Sequence, residues 1–304
     1  MAAKFLLPRA LFHPMIRGRR KRRKTIGGSM FGRLSRRALA GGLVGTAAAA
    51  SSVQSQARRG PRVLALVGDR YHNPDYIRTA LDPVFKDLGI AVDYTIAYDQ
   101  ISAAMLKNYQ VFLTFRDGMI WPGGYLGPDA YTDYEANLET PKTFSDPVSQ
   151  PMMTEEQGAA VRDFVSAGGG LYAMHNSSYI SLYTKSWRAV MGGVSKSHPP
   201  LRPFRVAPTT NAHPITEGIK PFMVNDEQHY VQYDGDPAHI IMEAGNIDGL
   251  TFQDMGAKSV SAWAHDYGKG RVAFTAVGHN IHAMWNPQHL SLQKRTLQWL
   301  LRQI

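Results

Sequence analysis

Four short apolar runs set the rhythm of this chain: Arg62–Val67, Gln110–Phe115, Leu171–Met174 and Arg271–Val277. Each ends in a polar cluster carrying His or Arg, respectively Gly68-Asp69-Arg70-Tyr71-His72, Arg116-Asp117, His175-Asn176 and Gly278-His279. Short apolar runs alternating with helical patterns predict a parallel α/β sheet. The carboxyl ends of parallel strands share one edge, where ligands bind, so residues far apart in sequence are expected to meet there.

Between the runs the local signals are specific. Asn73-Pro74 reads as an N-cap followed by proline at the first helical position. Ile77, Leu81, Val84, Phe85 and Leu88 then fall on one helical face, which Gly89 ends. A second strand is expected over Ile90–Ala97 and a short helix over Ser102–Asn108. Thr154 and Gln157 form a capping box that opens a helix running to Ala167. A further helix is expected over Ser178–Met191, strand-like segments over Phe204–Ala207, Phe222–Tyr233 and His239–Ala244, and a closing helix over His289–Arg302 with Leu290, Leu297 and Leu301 inward. Ser259–His265 and Arg271–Val277 read as a hairpin over Tyr267-Gly268-Lys269-Gly270. That antiparallel partner carries His265 away from the common edge and leaves His279 on it. Residues 117–150, rich in Gly, Pro, Tyr and Asp, are too long for a simple connection and read as a functional flap.

Composition alters the picture at the N-terminus. The formal net charge is +10, yet twelve of the 34 basic residues fall within 1–57, which hold no acidic ones. The remaining 22 basic residues face 24 acidic ones, so the rest of the chain offers no basic footprint for nucleic acid. Ser35-Arg36-Arg37-Ala38-Leu39 resembles a twin-arginine motif, Ala38–Ala50 is mildly apolar, and Ser55-Gln56-Ala57 offers a small-x-small cleavage pattern. The expectation is an N-terminal extension and export signal over 1–57, a domain over 58–304, passage through the twin-arginine (Tat) export machinery, and a periplasmic or secreted destination. The apolar stretch is too short and too rich in Gly and Ala for a stable membrane span. Translation from Met1, with a long extension, and from Met30, with an ordinary leader, both fit. There is no cysteine, which removes disulfides, thiolate metal sites and Cys nucleophiles.

Several segments, in order, carry a family resemblance: Gly168-Gly-Gly-Leu-Tyr-Ala-Met-His175, His213-Pro-Ile-Thr-Glu-Gly218, Asp226-Glu227, Trp263, Tyr267-Gly-Lys-Gly-Arg271 and Gly278-His279. Together they resemble the ThuA-like (trehalose utilisation) family over roughly 62–302. The resemblance implies a class I glutamine amidotransferase-like fold, that is, a flavodoxin-like, mostly parallel sheet with helices on both faces. It also implies bacterial carbohydrate catabolism, on disaccharides or glycosides or their 3-keto derivatives. The amidotransferases use a Cys at the turn that corresponds here to Met174-His175-Asn176, so glutaminase chemistry is excluded.

Candidate chemistry follows from position. His175 ends a buried strand at a strand-to-helix turn, where a helix N-terminus can hold an anion. His279 has the same logic at another strand end, and Gly278 lets the backbone approach a ligand closely. Glu227 is the carboxylate for acid–base work, because the resemblance includes the Asp226-Glu227 pair; burial is expected to raise its pKa. His175, Glu227 and His279 are thus the catalytic candidates. His72, Arg116, Asn176, His198, Trp121 and Tyr125 are the substrate-binding candidates, Arg116 through its fork of donors and the aromatics by stacking on a sugar ring. His198 is expected on a rigid loop, and His213 as the cap of a turn. A divalent metal is an open option, with His175, His279 and His282 as candidate ligands, the last two spaced to share a helical face. The leading expectation is an enzyme using His/Glu acid–base chemistry on a small carbohydrate. A non-catalytic sugar-binding protein and a structural metal-binding protein are the alternatives.

Overall fold

The apolar runs become the centre of a nine-stranded sheet. The computed structural model describes residues 60–122, 148–249, 251–252 and 254–304. The leader with its twin-arginine motif, and Tyr125 with the rest of 123–147, lie outside the described residues. The strands are β1 (Arg62–Val67), β2 (Ala91–Thr95), β3 (Val111–Phe115), β4 (Met119–Ile120), β5 (Gln150–Pro151), β6 (Gly170–Met174) and β7 (Gly193–Ser197). They continue as β8 (Arg202–Pro208), β9 (Phe222–Asp226), β10 (Tyr230–Tyr233), β11 (Ile240–Asn246), β12 (Lys258–Tyr267) and β13 (Gly270–Thr275). The helices are α1 (Pro74–Asp87), α2 (Ala103–Leu106), α3 (Glu155–Ser166), α4 (Lys185–Met191), α5 (Ile281–Met284) and α6 (Pro287–Leu300).

The large sheet has the order β2-β1-β3-β6-β13-β12-β11-β8-β9. Its first five strands are all parallel, and their sequence order is that of a flavodoxin-like sheet. The fold is therefore the α/β, flavodoxin-like arrangement, extended beyond β13 by four antiparallel strands. Alternation along β1 explains the layers. Val63, Ala65 and Val67 pack on one face with α1 and α6, through Ile77, Leu81, Phe85, Leu292 and Leu297. Leu64 and Leu66 pack on the other with α3 and α4, through Val161, Val165, Trp187 and Val190. Strands covered on both faces read as continuous apolar runs, which is why they were visible in the sequence.

The local signals hold where the chemistry is local. Asn73 caps α1, its side chain accepting from the Asp75 N–H, and Thr154 and Gln157 make both bonds of the capping box. The β12–β13 hairpin turns tightly between Tyr267 and Gly270, with Gly268 at φ 59°. His213 accepts from the Ile215 N–H as a turn cap.

Three expectations change. The helix expected over Ser178–Met191 is a 3-10 segment, His175–Leu182, followed by α4. Ser178 Oγ donates back to the His175 carbonyl at 3.2 Å and Thr184 Oγ1 to the Met153 carbonyl at 2.7 Å, so hydroxyls compete with α-helical bonding. The loop expected to carry His198 begins as strand β7, paired antiparallel with β10 in a two-stranded ribbon. The run Phe222–Tyr233 is broken between β9, in the large sheet, and β10, in the ribbon. That crossing from one sheet to the other is Glu227-Gln228-His229.

At the ends of the long 117–150 stretch, β4 pairs antiparallel with β5 and the Met152 N–H donates to the Gly118 carbonyl at 2.8 Å. The insertion is thus joined at its neck. No helix among the described residues is long and apolar enough to cross a membrane.

Candidate functional site

The carboxyl ends of β1, β3, β6 and β13 lie along one edge. Because β9 runs in the same direction after an even number of antiparallel steps, its end falls there too. His72, Asp117, His175, Glu227 and His279 therefore converge. All but His175 line, with Tyr71, Met119, Asn176, Tyr179, His198 and His229, a cavity of about 480 Å³; the fully buried His175 lies behind this lining, its ring 4.9 Å from that of His72 and 4.3 Å from that of His229. His198 leaves the end of β7 and His229 enters β10, at the same end of one antiparallel pair. Their rings stack at 4.7 Å and 21°.

Proton accounting defines the cluster. Asp69 accepts from the backbone N–H groups of Tyr71, His72 and Asp117 and from Asn176 Nδ2, at 2.7–2.9 Å. Burial raises its pKa, but these bonds and His72 outweigh burial and hold it at about 2. An ionised carboxylate only accepts, so His72 Nδ1, 2.9 Å from Asp69 Oδ1, carries the proton. His175 Nδ1 lies 2.7 Å from the Ala276 carbonyl and must likewise donate. Burial lowers the His175 pKa and keeps that ring neutral. The two Nε2 atoms then turn bare lone pairs on each other at 3.1 Å.

Around that pair, His279 Nδ1 lies 3.2 Å from His72 Nε2 and 3.1 Å from Glu227 Oε2. Glu227 Oε2 is also 3.5 Å from His175 Nε2, 3.4 Å from His229 Nε2 and 3.6 Å from His198 Nδ1. Burial favours the neutral acid, yet the imidazoles of His175, His229 and His279 gathered around it outweigh burial and hold Glu227 far below the usual carboxylate range. Glu227 is thus a fixed anion here, whereas the sequence led us to expect a raised pKa. For His279, burial lowers the pKa, but Glu227, Asp226 and Asp69 raise it to a net upward shift.

His72 Nε2, His175 Nε2, His279 Nδ1 and Glu227 Oε2 all lie within 4.8 Å of one another. Donors around a tetrahedral ion with bonds near 2.05 Å are about 3.3 Å apart, and the closest contacts of this set, 3.1–3.5 Å, bracket that value. Three imidazoles and a carboxylate suit zinc and neighbouring divalent transition metals. Two of the rings already carry the outer partners that metal-bound histidines use, Asp69 and the Ala276 carbonyl. The residues present fit a divalent cation.

The backbone supports this placement at some cost. His175 has φ 51°, a left-handed conformation unfavourable for a side-chain-bearing residue. A Cβ on Gly278 would lie 2.8 Å from His175 Cβ and 2.9 Å from Phe115 Cζ, so this glycine admits the His175 side chain, not a ligand. Buried Asp226 accepts from the Gly278 N–H at 2.7 Å and the His279 N–H at 2.9 Å, fixing the turn after β13.

With this geometry in place, comparison with known proteins is decisive for the family. The ThuA family model, described as trehalose utilisation, matches residues 62–300. The chain belongs to the ThuA family. A ThuA-like protein of Bacteroides uniformis has 14% identity and a TM-score of 0.55, with 80% of this chain and 92% of that one covered. A ThuA-like protein of Parabacteroides merdae has 16% identity and a TM-score of 0.57, with 80% and 90% covered. At such identities the likeness shows the fold alone. No curated protein matches the chain.

Within this ThuA domain the expected site residues sort clearly. His72, His175, Asn176, His198, Glu227 and His279 come together. His282 does not: it is exposed on α5, and His72 supplies the third imidazole. Arg116 turns away, donating to the Gly68 carbonyl and lying 4.6 Å over the Tyr98 ring, so it braces the ends of β1 and β3. Trp121 packs edge-on against Tyr71 at 6.0 Å, outside the cavity. Sequence reasoning undervalued Asp69, whose position three residues before His72 was the available signal. It took Asp117 only as part of the Arg116-Asp117 cluster and did not single out Tyr179.

Proposed function

We propose that this ThuA-family protein is a carbohydrate-processing enzyme whose His72–His175–His279–Glu227 cluster holds a divalent cation, and that it acts on a 3-keto-glycoside. The observation that carries the reading is the pair of bare Nε2 atoms of His72 and His175 beside an ionised carboxylate, next to a cavity lined by acidic and basic side chains. When bound, a divalent cation there polarises a carbonyl oxygen and stabilises negative charge developing on it. The family's trehalose-utilisation description supports a sugar as substrate. Among the described residues the cavity lining includes no Lys or Arg, which favours an uncharged sugar over a sugar phosphate.

A ketone acidifies the C–H bond beside it. His198 Nδ1 faces the Pro199 carbonyl at 3.1 Å, leaving Nε2 to take that proton within the cavity. The electron pair forms a C=C bond, the glycosidic C–O bond on the next carbon breaks, and its oxygen takes up a proton. Tyr71 and Tyr179 offer aromatic faces and hydroxyls to the sugar ring. We propose further that the protein is exported, on the strength of Ser35-Arg36-Arg37-Ala38-Leu39 and Ser55-Gln56-Ala57; N-terminal sequencing of the mature protein tests this, and an intact Met1 opposes it.

The experiment is turnover of 3-keto-glucosides beside the parent glucosides, with bound metal quantified before and after chelation. Release of the aglycone from the keto form alone, lost on chelation and restored by metal, is expected. Sugar binding without any product would replace this reading with a binding protein, and a stoichiometric metal whose removal unfolds the chain would favour a structural ion.

A further inference from the structure

The wall of the cavity formed by the end of β3 contains a carboxyl group that the cluster does not use. Asp117 is 4% exposed, lines the cavity, and is held rigidly by its own N–H, which donates to Asp69 Oδ2 at 2.9 Å. The N–H groups of Gly118 and Met119 donate to its carboxyl, whereas Oδ1 is shielded from solvent with no protein partner. A buried oxygen left without a partner is costly unless something supplies one.

We propose that Asp117 is the general acid of this site, donating its carboxyl proton to the departing glycosidic oxygen. This rests on the elimination reading above and completes it. His198 gains the proton from the carbon beside the ketone and Asp117 gives up the proton that leaves with the alcohol. The C–O bond breaks as the C=C bond forms, and no oxidant, reductant or added water is needed. The strands β3 and β13 stand two inter-strand spacings apart, about 10 Å, and Asp117 and His279, which follow them, both line the cavity.

The electrostatic surroundings suit the role. Burial and the neighbouring Asp69 anion push the Asp117 carboxyl up to about 7, against the lowering effects of the two N–H groups and Arg116. Besides Asp69 and Arg116, the titratable groups facing it are Tyr71 and Tyr179. An acid poised near the working pH is the one best matched to proton transfer.

The test compares two leaving groups on the same sugar, methyl 3-keto-β-glucoside and 4-nitrophenyl 3-keto-β-glucoside. Methoxide needs a proton to depart, and 4-nitrophenolate does not. Asp117→Asn is expected to slow the methyl substrate roughly 10²–10⁴-fold and the nitrophenyl substrate less than about tenfold. The ratio of the two rates does not depend on how much variant folds. With the unaltered protein, kcat/KM for the methyl substrate is expected to fall on the alkaline side as Asp117 ionises, and that for the nitrophenyl substrate to stay level. Equal slowing of both substrates, or identical pH profiles, would overturn the role of Asp117 while leaving the elimination reading standing. Failure of the unaltered protein to release either alcohol would overturn both.

Discussion

Asp69→Asn isolates the outer partner of the proposed cation site. In the folded protein burial opposes ionisation of Asp69, yet its bonds with His72, Asn176 and the Asp117 N–H lower its pKa from 3.8 to about 2. A downward shift of that size corresponds to about 2–3 kcal/mol of stability at neutral pH. For a depressed carboxylate the contribution is complete above the unfolded pKa and is lost as pH falls through about 2. Asparagine keeps the shape, but where the carboxylate accepted only, it offers one acceptor and one donor. The His72 proton at Nδ1 loses its anchor, and Nε2 loses the preference for a bare lone pair. Disturbing such an outer partner typically weakens metal affinity 10–100-fold. Urea unfolding of the metal-free protein reads the first effect, and zinc titration against a competing chelator reads the second. A variant as stable as the parent within about 0.5 kcal/mol, binding zinc equally well, would refute both the charge assignment of Asp69 and the ligand role of His72.

Other perturbations separate the parts of the site. His72→Ala and His175→Ala are expected to abolish stoichiometric zinc binding, whereas His282→Ala leaves it unchanged; the reverse pattern would restore His282 as a ligand. Gly278→Ala drives a methyl group against His175 and Phe115 and is expected to cost about 1–3 kcal/mol, read by thermal unfolding; an unaffected melting temperature would show that the contact relaxes freely. Burial lowers the pKa of His265 to about 4 and that of His289 to about 3, both outside the cluster. Each ring binds a proton more readily unfolded than folded, so their contribution is complete above about pH 6.5 and declines as the solution is acidified toward the folded values, by about 1.4 kcal/mol per pH unit per group. His289→Gln is expected to flatten that decline by one proton's worth in denaturant titrations at pH 5 and pH 7.

What the sequence disclosed was whatever is encoded within a few residues. Val63 to Val67 are buried alternately on two covered faces, so their continuous apolar run already marks a central strand. Asn73 before Pro74, and Thr154 before Gln157, fix helix starts through bonds that span three residues or fewer. The convergence of His72, His175 and His279 also followed, since parallel strands deliver their ends to one edge. The meeting of Glu227 with His198 and His229 did not. It depends on β9 changing sheets and on β7 pairing with β10, and the short run Gly193–Ser197 has one glycine, two serines and a lysine around a single valine, too little apolar character to announce a strand. Arg116 was misread for a related reason: a side chain at a strand end has two directions available, and the Gly68 carbonyl and Tyr98 ring took it out of the cavity. Asp117 entered only as the second member of the Arg116-Asp117 cluster, because its burial is a property of the assembled edge.

The two-residue ladder between Met119–Ile120 and Gln150–Pro151 has an evolutionary reading. A chain excursion clasped at its root transmits little of its own length to the scaffold, because closing a loop twice as long costs only about 0.6 kcal/mol more. The sequence between Pro122 and Val148 can thus be lengthened, shortened or exchanged at little cost to the scaffold, so that part of the chain is free to change while the imidazole cluster stays assembled.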